Sequence, residues 1–362
     1  MLVISRNTAF TYRNKPVDTR QIGRELGVRY VLEGSVRRGA NKIRVNAQLI
    51  DAEPDTHLWA EQFDYDMSDL FMLQNEVTRR IAATLNVELV AAEGARPTEH
   101  PDALDYILRG RAATTREASR QRFAEAVAWY ERALAVDPSS IEPRAWLAQT
   151  LVWRVGVLMT DAAAADLERA DRLIAEVLTA SPHNPLAHLA KGALLRRHQR
   201  PENALFEFET AVASDRNWVE AIRGIAMCKF LTGSADEALP LFEQVLRLSP
   251  RDPRLAETHH FIGVVHLFQS RLDEAIPWYE KASRLNPMRA SPHYHLAAAY
   301  GLKGDVARAG AELAEARIRD NTDLYTTIAR VRANGDLNTP AVHAQFESVF
   351  LAGLRKAGMP EE

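Results

Sequence analysis

The side chains of this 362-residue chain best suited to metal or acid–base chemistry are its histidines and one acidic stretch. His259, His260 and His266 fall in one predicted helix, and His293 with His295 in the next. His259 and His266 share a helical face, whereas His293 and His295 point apart. A zinc site needs three or four converging ligands, and no cysteine or acidic partner stands at ligand spacing. Packing or groove lining is therefore the better reading, and no metal is assigned. Asp64 and Asp66, with Asp69 close by, could imitate a metal-binding or general-base pair. Their place between a predicted strand and a predicted helix makes them capping carboxylates at the positive end of that helix instead. Arg37 and Arg38, beside a glycine turn, could touch phosphate, but a solvated hairpin tip explains them more simply. No G-x-x-x-x-G-K-[ST], H-E-x-x-H or G-x-S-x-G motif occurs. Without a catalytic constellation or a cofactor site, the chain is not expected to be an enzyme by itself.

What remains for function is a surface, and the elements that would build one repeat. Prolines recur behind the same helical pattern at Pro138, Pro182, Pro250 and Pro287, with Asp215-Arg216 in the proline's place at one boundary. The second helix of each unit carries a small residue, a large apolar residue four later and a small residue three after that. The sets are Ala126, Tyr130, Ala133; Ala170, Ile174, Val177; Ala204, Phe208, Ala211; Ala238, Phe242, Val245; Ala275, Tyr279, Ala282; and Ala309, Leu313, Ala316. That spacing puts each set on one helical face, where small residues admit a close neighbour and the large one fills the gap between units. First helices carry a matching small position at Gly192, Ala226, Gly263 and Ala297.

These features resemble the tetratricopeptide (TPR) family, whose period is about 34 residues, over residues 101–321 in about six units. The first two units are longer than the period, and residues 322–362 are read as helices capping the last repeat, with Phe346, Phe350 and Leu354 at helical spacing for that job. The resemblance implies a stack of helix pairs with a concave groove. Its groove-facing positions carry over to Leu189, Ala193, Arg196 and Arg197; to Arg223, Met227, Phe230 and Leu231; to His260, Val264, Leu267 and Phe268; and to Tyr294, Ala298 and Leu302. Arg196, Arg197, Arg223, Met227, Phe230, His260, Phe268 and Tyr294 form the candidate peptide groove, because arginine with aromatics is the composition of a binding hot spot. An equally good reading has Phe230, Phe268 and Tyr294 merely packing inside the superhelix. The subclass that clamps a terminal carboxylate uses asparagine and lysine here, which this chain lacks.

Residues 1–90 follow a different rhythm, joined to the repeats by a linker over 91–100. Leu2 to Ser5 reads as a short crossover strand, and Asp18 caps a helix that stops at Gly27. Tyr30–Arg37, Ile43–Asp51 and His57–Phe63 read as a three-stranded meander; Ile43, Val45, Ala47 and Leu49 form the apolar face of its middle strand. A helix over 68–85 would lay Leu70, Leu73, Val77 and Ile81 on the sheet. The fold class is thus a small, incomplete α/β domain followed by an all-α TPR superhelix. The run from Gly27 to Arg37, with Gln48-Leu49-Ile50-Asp51 and His57-Leu58-Trp59-Ala60-Glu61, is similar to the TolB-like domain that precedes TPR arrays in bacterial proteins. In that family a strand and a helix come first, so the chain is expected to be truncated at its start. The resemblance implies an upstream effector, either a class III adenylate or guanylate cyclase or a winged-helix regulator.

Composition narrows the partners. A net charge of -3 argues against nucleic acid. No apolar run approaches the ~20 residues that span a bilayer, and no leader pattern is visible, so a cytoplasmic location is expected, or a periplasmic one within a longer anchored protein. The sole cysteine, Cys228, excludes an intramolecular disulfide. The expected function is a non-catalytic interaction module that binds a protein segment in the groove, with its arginines favouring acidic ligands; the alternative is the regulatory part of a cyclase or a transcriptional regulator.

Overall fold

The computed structural model describes residues 4, 8–9, 11–12, 18–38, 42–66, 81, 85, 87–95, 101–114, 118–250, 252, 254–320, 325–334 and 337–362. The chain divides into two compact units, Met1–Ala92 and Glu93–Glu362.

In the first unit, helix α1 (Thr19–Leu26) begins where the Asp18 carboxylate accepts the Arg20 N–H at 3.0 Å, and it stops at Gly27, whose φ of 62° is left-handed. Three antiparallel strands follow in the order β1-β2-β3: β1 (Tyr30–Arg38), β2 (Lys42–Asp51) and β3 (Thr56–Asp66). Ile43, Ala47 and Leu49 of β2 are buried with Trp59 and Phe63 of β3, as the alternation requires. A register break between Leu49 and Ile50 brings Ile50 inside as well. Ile81, Leu85 and Leu89 pack against this face. Leu70, Leu73, Val77, Asp69, most of Leu2–Ser5 and the turn at 39–41 lie outside the described residues. One expectation is corrected here. β3 continues through Asp64, which does not cap a helix but takes the Arg44 guanidinium of β2 across the ladder, at 2.6 and 3.1 Å. Residues 87–94 are helical, so the stretch expected to begin a linker at 91 continues a helix.

Among its described residues the second unit contains six helix pairs: α2 (Ala103–Thr114) with α3 (Arg120–Val136), α4 (Glu142–Gly156) with α5 (Ala163–Ala180), α6 (Pro185–Arg197) with α7 (Pro201–Ser214), α8 (Val219–Leu231) with α9 (Ala235–Leu248), α10 (Leu255–Phe268) with α11 (Leu272–Leu285), and α12 (Ser291–Lys303) with α13 (Val306–Arg319). Every residue of the small-large-small signature is at most 3% exposed. Its geometry explains the matching first-helix position: a Cβ on Gly192 would stand 2.9 Å from the Phe208 ring, and one on Gly263 would stand 2.6 Å from Tyr279. Phe208 also meets Gly224 of the following pair, at 2.6 Å from where its Cβ would be, so one ring ties two units together. The recurring prolines lie in the turns after second helices. Asp137, Asp215 and Asn286 each accept the N–H two residues on, so Asp215-Arg216 makes the same kind of turn without proline.

The tail differs most from expectation. After α14 (Ile328–Asn334), residues 343–356 form one helix, α15, with a π-helical stretch over Phe346–Leu351. The tail does more than cap the last repeat: it lies along the first helices of the last three. The Thr339 hydroxyl donates to the Leu231 carbonyl of α8 at 2.6 Å. Phe350 stacks on His295 of α12, with ring centroids 4.4 Å apart and an interplanar angle of 18°. Gly353 faces Ala298, where a Cβ would come within 2.4 Å of the Ala298 carbonyl oxygen. Phe346, Phe350, Leu351 and Leu354 are buried in the same cluster as Phe230, Phe268 and Tyr294. No helix among the described residues is long and apolar enough to cross a membrane.

Candidate functional site

The tail fills the concave side beside α10 and α12 and leaves a cleft beside α4, α6, α8 and the start of α10. Gln149, Val152 and Trp153 come from α4, Leu189, Ala193, Arg196 and Arg197 from α6, Glu220, Arg223 and Met227 from α8, and Arg254, Glu257 and Phe261 from the start of α10. Most of the lining projects from first helices, or from the residue that opens one, and Phe208 of the second helix α7 reaches the cleft as well.

Four guanidiniums against two carboxylates line this cleft. Arg223 is 2% exposed; its Nε donates to Thr258 Oγ1 at 2.9 Å and its Nη2 to Asp252 Oδ2 at 2.5 Å. Its Nη1 has no partner. Arg254 Nε donates to Glu257 Oε2 at 2.7 Å, and its guanidinium lies 5.0 Å from the Trp153 ring centre. Burial alone would raise the Glu257 carboxyl; the adjacent Arg254 charge outweighs it and holds the group well below the usual carboxylate range. Burial pushes Arg289 down: the Glu257 charge opposes that shift, and the neighbouring Arg254 charge adds to it. Trp153 meets Phe123 edge-on at 5.1 Å, and neither its Nε1 nor Gln149 Oε1 finds a hydrogen-bond partner.

The eight candidate groove residues separate into two places. Arg196, Arg197, Arg223 and Met227 line the cleft, with Arg223 and Met227 each only 2% exposed at its floor. Phe230, Phe268, His260 and Tyr294 are at most 5% exposed. Phe230 and Phe268 meet edge-to-face at 5.2 Å, and Tyr294 donates to Asp320 at 2.9 Å while stacking on Tyr325. The histidines have acquired partners the sequence does not juxtapose. His293 Nδ1 stands 2.7 Å from Glu312, His266 Nδ1 stands 3.3 Å from Glu274, and His260 Nε2 stands 3.2 Å from His295 Nδ1. Burial depresses the pKa of both His260 and His295, the latter to about 4. Among the described residues, no group of three or more His, Cys, Asp or Glu could hold a metal ion. Sequence reasoning missed Trp153, Gln149 and Arg254, along with Val152, Glu220, Glu257 and Phe261. Trp153, Gln149 and Val152 sit in a unit longer than the period, and Arg254 precedes its helix, so counting from the repeat does not reach these four.

Comparison with known proteins agrees with this fold. Two tetratricopeptide-repeat family models match residues 218–288 and 262–323, and the chain carries TPR repeats there. A Rhizobium meliloti (strain 1021) protein provisionally named adenylate cyclase 3 is 46% identical over 142 residues, 38% of this chain. The match spans only 24% of that relative's length. Among solved structures, the hetero-tetramer Cut9-Hcn1 of the APC/C superposes with a TM-score of 0.52 at 15% identity, covering 73% of this chain and 47% of that one. The human IFIT1 dimer with m7Gppp-AAAA gives a TM-score of 0.51 at 18% identity, covering 81% and 68%. At these identities the likeness is one of fold.

Proposed function

We propose that this protein is a non-catalytic interaction scaffold whose TPR array holds a segment of a partner protein in the open part of its groove. TPR repeats serve protein–protein interaction, and the observation that carries the finer reading is the cleft itself. It is concave, apolar on Leu189, Ala193, Met227 and Phe261, and rimmed by Arg196, Arg197 and Arg254. That combination favours an acidic segment with apolar neighbours. The test places a photo-crosslinking residue at Ala193 in the cleft and, separately, at Phe206, which is 65% exposed. Capture at Ala193 alone, lost in Arg196→Glu with Arg197→Glu, supports groove binding. Equal capture at both positions, or capture that survives the double substitution, rules it out.

The 46% identical relative favours a second reading, in which the chain is the non-catalytic part of a nucleotide-cyclase signalling protein. The first unit would then be TolB-like, a reading supported by its β-meander and by the Gly27–Arg37 run. Adding the chain to a purified cyclase domain encoded by the same gene or a neighbouring one tests this. A changed cyclic-nucleotide yield supports the reading, and an unchanged yield, despite binding, removes it.

A further inference from the structure

Positive charge also collects outside the cleft, on the first helix pair. Tyr106 of α2 and Trp129 of α3 stack across that pair, with ring centroids 5.7 Å apart and an interplanar angle of 20°. Two guanidiniums share the stack. Arg109 lies 5.2 Å from the Trp129 ring centre and 6.0 Å from that of Tyr106, and Arg132 lies 4.5 Å from Trp129. Arg132 is exposed, the other three are half-buried, and none of the four lines the cleft. Among the described residues neither arginine has an ion pair, although Arg120, Arg144, Arg154, Arg169 and Arg172 on the same and the following pair all do. The carboxylates nearest in sequence are committed elsewhere. Asp105, one turn before Arg109, accepts the Asp102 N–H at 3.0 Å; Glu131, beside Arg132, takes Arg169 at 2.8 Å; and Glu125 accepts from Gln121 at 2.8 Å.

A guanidinium stacked by its face keeps its in-plane N–H donors for a ligand, and the ring limits where they point, so little side-chain freedom is lost on binding. One such fork satisfies a carboxylate, which has two oxygens and a single charge. Two forks on one platform suit a group with about two negative charges and three acceptor oxygens, which is a phosphoryl monoester. We propose that Arg109 and Arg132, held on Trp129 and Tyr106, form a phosphomonoester-binding site. The phosphoryl oxygens accept from both guanidiniums, and Val136, 55% exposed and one turn beyond Arg132, gives an apolar contact to the group that carries the phosphate. A phosphorylated side chain and a free phosphate compound offer the same chemistry. The site shares no residue with the groove reading and stands or falls apart from it.

Calorimetry on the full chain at low salt tests it with four probes: an acetylated and amidated Ala-Gly-Ser-Gly-Ala peptide phosphorylated on serine, the same peptide unmodified, the same peptide with Glu for Ser, and inorganic phosphate. At least one phosphoryl-bearing probe should bind about tenfold or more tightly than the serine and glutamate peptides. Inorganic phosphate as tight as the phosphopeptide assigns a free phosphate compound, and a tighter phosphopeptide assigns a modified side chain. Arg132→Lys keeps the charge but loses the fork, and should weaken binding about fivefold. Arg109→Gln with Arg132→Gln should abolish it, while Arg247→Gln, an exposed arginine of α9, should leave it unchanged. A glutamate peptide as tight as the phosphopeptide overturns the inference, as does wild-type affinity in the double variant or an equal loss in Arg247→Gln. No heat from either phosphoryl-bearing probe at millimolar concentration overturns it as well.

Discussion

Acid should loosen the carboxyl-terminal tail through His295. This ring is 1% exposed and stands among His260, Tyr279 and Phe350, with centroids 4.7, 5.3 and 4.4 Å away. Burial pushes its pKa from 6.5 down to about 4; the Ser291 carbonyl, 2.8 Å from Nδ1, opposes that shift and Arg289 adds to it. His260 is shifted the same way by burial, His295 and Arg289, against the opposing charge of Glu257. The folded chain therefore keeps both rings neutral where the unfolded chain would protonate them. The stability they represent is fully present above pH ~6.5 and drains away as the pH falls toward 4. At pH 5, a group with these two pKa values costs about 2 kcal/mol relative to neutral pH, and His260 adds to the loss. Spread over a unit of this size, that lowers the melting temperature by about 4–8 °C. The assay is thermal unfolding between pH 5 and 7.5, with hydrogen exchange of the 346–357 amides as the local readout. His295→Phe keeps a ring against Phe350 without a titrating group and should flatten the pH dependence by about 2 kcal/mol. Parallel profiles for variant and wild type, or tail amides equally protected at both ends of the range, would refute the reasoning.

Other substitutions separate close packing from open space. Gly353→Ala drives a Cβ into the Ala298 backbone and should cost about 1–3 kcal/mol or more and unprotect the tail in hydrogen exchange. Gly310→Ala, inside α13 with nothing within 4 Å of its Cβ, should stabilise by about 0.5–1 kcal/mol in the same melts. Asp252→Ala strands the buried Arg223 charge and should cost about 3–5 kcal/mol in chemical denaturation. The Cys228 thiol, its pKa pushed up to about 12 by burial, should resist a thiol reagent at pH 8 until the chain unfolds, and rapid labelling of the native protein would contradict its placement.

Much of the architecture was legible because it is local and repeated. Ala204, Phe208 and Ala211 share a helical face by spacing alone, and recurrence of that set shows each helix that an identical neighbour lies beside it. Alternation in β2 identified Ile43, Ala47 and Leu49 as inward-facing for the same reason. Asp64 was misread because strand and cap both tolerate a carboxylate, and what decides between them is Arg44, twenty residues away in sequence and directly across the ladder. Half of the candidate groove was misplaced in effect rather than in position. Phe230, Phe268, His260 and Tyr294 do face inward, but nothing in their own repeats reveals that a helix from residues 343–356 lies over that side.

By itself, then, the sequence determined the helix pairs, the turns between them and the direction each first helix faces, because 3.6-residue periodicity and small-to-large matching act within one unit and its neighbours. Only the tertiary structure decided which part of the concave side stays open. That depends on contacts more than a hundred residues apart, such as Thr339 with Leu231, and on whether Gly301 and Gly353 let two backbones touch. The same folding brought Arg223, Arg254 and Trp153 into one cleft from three different repeats. Charge and apolar surface converge there because packing geometry places them together, and no spacing along the chain encodes it.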